Sequence, residues 1–204
     1  ALLFVTSNYN PRTNDRGLYN NHLIAVWYTK LPGRTESEWT IVNQDMALFY
    51  EGAAFDVQIL SEGENAFLHL ATDANISKSW TVIDRPIASD PNALVFAMPA
   101  WSPSGGSAND INHPIGGWYT GSHWAIFNMD GAPMRKDTGF NVEILSPSMN
   151  AFVQHTTSSN IESNWTTIDN PLAYDANKLL FVMPRGSPDG SKVNNSQPIG
   201  VWYT

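Results

Sequence analysis

Short apolar runs separated by turn formers recur along the whole chain, and several alternate apolar with polar residues. The clearest is Phe140-Asn-Val-Glu-Ile144, the pattern of a half-buried strand whose successive side chains point to opposite faces. In the second half of the chain, runs at Ile115–Thr120, Trp124–Asn128, Phe140–Leu145, Ala151–Thr156 and Leu179–Met183 predict strands. Met129-Asp-Gly131, Ser146-Pro147 and Asn170-Pro171 punctuate them with residues that favour turns. Asn160–Asn164 fits one short helical turn, and no stretch shows the period of a long amphipathic helix. Closely spaced short strands of this kind predict antiparallel sandwiches or barrels.

The pattern repeats. Trp39 and Trp124 lie 85 positions apart, as do Phe55 and Phe140, Trp80 and Trp165, and Asp84 and Asp169. Asn65-Ala-Phe67 returns as Asn150-Ala-Phe152 in the same register. One segment occurs three times: Leu3-Phe-Val-Thr6, Val95-Phe-Ala-Met98 and Leu180-Phe-Val-Met183 are equivalent, and each leads through a polar loop to Trp-Tyr-Thr. The order is arm, core, arm, core, arm, with arms at about 1–29, 93–120 and 179–204 and cores at about 30–92 and 121–178.

The expected architecture is all-β: two tandem antiparallel sandwich- or barrel-like repeats, 1–100 and 101–204, related by a pseudo-twofold, with one surplus terminal arm. An unpaired arm is an exposed sheet edge. The terminal arms are therefore expected to complement each other, cap the repeats or pair with another molecule, which leaves homo-oligomerisation open. Both Ala1–Ser7 and Ile199–Thr204 are expected to be ordered strands.

Composition narrows the function. The 204 residues carry a formal charge of -8 and no Lys/Arg cluster, which sets nucleic acid aside because a phosphate backbone would be repelled. No apolar run approaches the roughly 20 residues of a spanning helix, so membrane insertion is not expected. With no cysteine there is neither a disulfide nor a thiol nucleophile. Sequons begin at Asn75, Asn164 and Asn194.

Candidate chemistry is sparse. Of the five histidines only His22 and His113 are repeat-equivalent; Gln197 stands at that position in the third arm, and Gln154 stands where the first repeat has His69. Local hydrogen bonding is the expected role of these histidines. No zinc spacing, nucleophile elbow or phosphate-cradling glycine loop appears. No cofactor is expected; calcium is the one alternative kept open, by the oxygen-rich loops Asn8–Asp15, Asn109–Asn112 and Asp189–Asn195.

The repeated aromatics carry the strongest functional hint. Core packing is their ordinary use, but adjacent Trp and Tyr on a strand point to opposite faces, so one ring of each pair turns outward. An outward ring beside amides and carboxylates suits sugars. The leading expectation is therefore an extracellular, lectin-like carbohydrate-binding protein, not an enzyme, with one shallow site per repeat. Trp27, Tyr28, Asn43 and Asp45 would form one site, and Trp118, Tyr119, Asn128 and Asp130 the other. Its partners would be glycans or cell-surface components, and its place secreted or on the cell surface. The second expectation is a structural or adhesive surface module that locks repeats or molecules together. The third is a hydrolase using the repeated Asp45/Asp130 and Asp84/Asp169.

His113-Pro-Ile-Gly-Gly-Trp-Tyr119, with Trp124-Ala-Ile-Phe-Asn-Met-Asp130 and Gly139-Phe-Asn-Val142, resembles an uncharacterised repeat with an HPIGVWY…WAIFNQD…AFNV-type signature. The resemblance spans nearly the whole chain. It implies a bacterial, often cell-surface, repeat protein and brings no established activity. The first copy departs from it, since His22-Leu-Ile-Ala-Val-Trp27 lacks the Pro and Gly of the second.

Overall fold

The computed structural model describes residues 1–9, 18–103, 112–148, 150–187 and 194–203. The strands are, in chain order, β1 (Leu2–Asn8), β2 (Ile24–Thr29), β3 (Glu38–Asn43), β4 (Ala54–Leu60), β5 (Ala66–Leu70), β6 (Ile76–Ser77) and β7 (Trp80–Val82) in the first half. They continue with β8 (Leu94–Ala100), β9 (Ile115–Tyr119), β10 (Trp124–Asn128), β11 (Gly139–Leu145), β12 (Ile161–Glu162), β13 (Trp165–Thr166) and β14 (Gly200–Val201). Single 3-10 turns at Pro86–Ser89 and Pro171–Tyr174 start on proline, whose fixed φ suits a first helical position. The protein is all-β and sandwich-like, as its turn-punctuated apolar runs require.

The two repeats share sheets. One sheet has the order β3-β2-β8-β11-β5, another β6-β7-β10-β9 and a third β14-β1-β4. Strand β11 of the second core lies between β8, its own arm, and β5 of the first core. Strand β10 is likewise flanked by β9 of its own arm and β7 of the first core. Sheets thus run across the 100/101 boundary.

The arms form a ring. Arm one pairs with arm two in parallel through Val26↔Ala100, arm two with arm three through Gly117↔Arg185, and arm three with arm one through Val201↔Asn8. These three contacts are repeat-equivalent on both sides. Each is followed by the same backbone bond: Trp101 N to Val26 O at 2.7 Å, Gly186 N to Gly117 O at 3.2 Å, and Tyr9 N to Val201 O at 2.9 Å. The third arm is therefore no remainder; it closes a pseudo-threefold ring, and the terminal arms complement each other through β1 and β14. Gly200 allows the closure, because a Cβ there would sit 2.3 Å from the Tyr9 ring.

Inside the ring, Leu2, Leu3, Phe4, Val5, Val26 and Met98 form one apolar cluster. A second lies at the junction of the two cores and includes Phe67, Ile83, Trp124, Ile126, Phe140, Val142 and Ile144. Each such side chain contributes on the order of 1.5–3 kcal/mol on leaving water. Two buried side chains link the cores to the ring with opposite polarity. Asp56 Oδ2 accepts from Leu180 N at 3.2 Å, whereas its equivalent Asn141 donates from Nδ2 to Leu3 O at 3.0 Å.

Two expected strands are absent. Ala151–Thr156 and Leu179–Met183 contain no paired strand among the described residues, only the isolated bridge of Ala151 to Ser148. Their equivalents β5 and β8 are strands because β11 lies between them. In the described residues nothing supplies a β11-type strand to the second pair, and extended backbone without a ladder partner does not make a strand. Asn160–Asn164, expected as a helical turn, instead contains strand β12 and the turn that joins it to β13.

Candidate functional site

Of the eight residues expected to bind ligand, six fall on equivalent hairpins, β2–β3 and β9–β10, and Asp45 and Asp130 lie in the turns that follow them. In the first, Trp27 is opposite Thr40 and Ile24 is opposite Asn43. The aromatic pair and the polar pair thus occupy opposite ends, about 10 Å apart at 3.3 Å per residue.

The polar members are used locally. Asn43, buried, donates from Nδ2 to Ala47 O at 3.0 Å and accepts from Asn20 Nδ2 at 2.9 Å. Its equivalent Asn128, also buried, donates to Ala132 O at 3.0 Å. Asp45 Oδ1 accepts from Ala47 N and Asp130 Oδ1 from Ala132 N, each at 3.0 Å. The second oxygens meet histidine: His22 Nδ1 lies 2.6 Å from Asp45, and His113 Nδ1 lies 2.7 Å from Asp130. The Ala47 amide foremost, and the His22 bond with it, hold the Asp45 carboxyl below the usual carboxylate range. These are two copies of one loop clamp, in which the histidine of arm one and that of arm two each fasten the turn after a hairpin.

The aromatic members stand at docking positions. Trp118 packs edge-on against Trp80 of the first core, with centroids 5.0 Å apart, and Tyr119 Oη donates to Ser89 O at 2.9 Å. The third arm repeats this on the second core: Trp202 meets Trp165 at 5.9 Å, and Tyr203 Oη donates to Tyr174 O at 2.8 Å. Each arm therefore docks its Trp-Tyr pair on the core that precedes it. Trp27 and Tyr28 have no preceding core among the described residues; Trp27 is partly exposed, and Tyr28, 58% exposed, leans on Trp39.

A groove opens where the three arms meet. It is lined by His22, His113 and Gln197, the three equivalent arm positions, with Thr6, Met98 and Met183 beneath. Its volume is about 110 Å³, well below the roughly 300 Å³ of an ordinary small-ligand pocket, and no carboxylate lines it. A second hollow, of about 160 Å³, is lined by a single acid, Asp90. Asp169 accepts from Tyr174 Oη at 2.9 Å within its own repeat. Among the described residues no group of three or more His, Asp or Glu gathers that could hold a metal. Most of the loops kept open for calcium, residues 10–15, 109–111 and 189–193, lie outside the described residues.

The pairing of β1 with β14 is the first of the three outcomes left open for the terminal arms, whereas the threefold ring that includes the middle arm is not among them. The available signal was that the His/His/Gln positions and the Leu-Phe-Val-type segments each occur three times.

The geometry defines a repeat protein whose units are interleaved rather than strung end to end. The family model for a domain of unknown function, DUF7452, matches residues 1–59, 30–144 and 134–204. Together these cover the chain, which belongs to this repeated family. No curated protein and no solved structure matches it.

Proposed function

We propose that the protein is a structural or adhesive module of a secreted or cell-surface setting, in which arms lock successive repeats together. The observation that carries this reading is the use of the repeated polar residues. Asn43, Asn128, Asp45 and Asp130 bond their own loops, while Trp118, Tyr119, Trp202 and Tyr203 dock arm on core. Groups already engaged in this way offer little to a sugar hydroxyl, and the hollows are small. The bacterial, surface-borne character implied by the sequence resemblance belongs to the same proposal.

A glycan array, run with and without calcium, tests the reading against the lectin alternative. No sugar is expected to be retained specifically. Retention of one glycan class that is lost on Tyr28→Ala or Tyr119→Ala would overturn the proposal. A lectin would need little interlock between repeats, so the unfolding curve is a second test. One cooperative transition for the whole chain is expected, because the second core shares two sheets with the first.

A further inference from the structure

In a closed threefold ring each core has two neighbours. The first and second cores meet through β5·β11 and β7·β10, whereas their outward sides meet nothing among the described residues. Those sides are repeat-equivalents of the two halves of the buried junction. On the first core, Val57 and Ile59 of β4 are 37% and 68% exposed, while their equivalents Val142 and Ile144 are 0% and 1% exposed. On the second core, Phe152 is 39% exposed, while its equivalent Phe67 is 3% exposed. In the third arm Leu179 is 58% exposed, against 5% for Leu94.

These surfaces belong to one sector. By the cyclic order of the arms, a core following arm three would lie between the second core and the first, as the second core lies after arm two. Its β11-type strand would fit between residues 179–185 and 151–155, as β11 itself fits between β8 and β5. Its β5-type strand would fit on the outer edge of β4. Among the described residues nothing covers these large apolar side chains, although their repeat-equivalents are buried at the junction of the two cores.

We propose that this sector is a docking site for a further repeat core carrying the chain's own core pattern, which enters by strand addition to both edges. The proposal rests on reading the protein as a structural module. It specifies a register. Val142↔Phe67 and Val142↔Ala97 inside the chain translate to a β11-type valine opposite Phe152 on one side and Val182 on the other. Asn141↔Leu68 translates to an asparagine opposite Val153. The bond from Ile144 N to Asn65 O makes 144/65 a hydrogen-bonded pair, so 141/68 falls on the closer, non-hydrogen-bonded spacing. That spacing suits a disulfide.

The test uses the intact chain, which has no cysteine of its own. A peptide of residues 137–146 carrying Asn141→Cys is mixed with the Val153→Cys chain under mild oxidation, and with the Gln154→Cys chain as an off-register control. The in-register pair is expected to crosslink at least about tenfold faster. The wild-type peptide is expected to slow amide exchange at 151–155 and 179–185, and Val142→Pro in the peptide to abolish that protection, because proline cannot donate to the ladder. Equal crosslinking rates, or protection elsewhere, would overturn the proposal. So would a chain that dimerises without peptide and protects these same residues, since a second whole copy would then be the occupant. Glycan binding would defeat the structural reading while leaving the crosslink result to stand or fall alone.

Discussion

His69 makes the fold sensitive to acid. Its Nε2 lies 2.8 Å from Thr81 Oγ1, its ring stacks near Phe140 at 6.5 Å, and it is 7% exposed. Burial, with the nearby Arg85 charge, lowers its pKa to about 4. The ordinary value is about 6.5. The folded state therefore keeps the imidazole neutral while the unfolded chain takes up a proton. Stability is whole above about pH 6.5 and is lost as pH falls towards about 4. At about 1.4 kcal/mol per tenfold, the loss is about 2 kcal/mol by pH 5 and roughly 3 kcal/mol in full. The second repeat supplies the matched control, because Gln154 occupies this position there. Urea unfolding of the wild type and of His69→Gln at pH 7, 6 and 5 isolates the histidine from carboxylates that titrate in both. The difference in stability between the two should shrink by about 2 kcal/mol from pH 7 to pH 5. Parallel pH dependences would refute the argument, because they would mean that His69 takes up its proton as readily in the folded protein as in the unfolded chain.

Three further substitutions test the geometry. Met46, 75% exposed, has φ 64, and its equivalent Gly131 has φ 79, so Met46→Gly should stabilise by about 1 kcal/mol in thermal unfolding. Asp56→Asn sets an amide among donors from Leu180 N and Asn8 Nδ2, and should cost about 2 kcal/mol by chemical denaturation. Gly200→Val drives a side chain into the Tyr9 ring, and should speed amide exchange in β1 and β14 well before it affects β11.

Much of the fold was legible because short-range pattern and long-range packing agree. Phe140-Asn-Val-Glu-Ile144 alternates and is a strand, although Asn141 is buried along with its apolar neighbours and so the strand is not half-buried, and Trp39 and Trp124 each meet the Tyr of their own arm, at 5.4 and 5.6 Å. The number of arms was legible from the segments that occur three times, but which arm pairs with which was not, since parallel pairing between distant arms leaves no turn signal. Ala151–Thr156 and Leu179–Met183 show the reverse failure: their residues suit strands, but a strand also needs a neighbour. At the candidate site, the pairing of Asn43 with Asp45 and of Asn128 with Asp130 was visible as repetition. Repetition could not distinguish side chains turned to solvent from side chains fastening their own loops, because amide and carboxylate groups serve both uses.

The parallel contact of β1 with β14 also sets how the molecule bears load. Tension applied through Leu2 and Val201 would slide the two strands past each other, so Ser7↔Gly200, Asn8↔Val201 and the Tyr9 amide bond would be strained together instead of peeling one after another. The same pull loads the β1–β4 ladder from Leu2↔Leu60 onward, so the short contact with β14 shares the tension with the longer antiparallel pairing beside it.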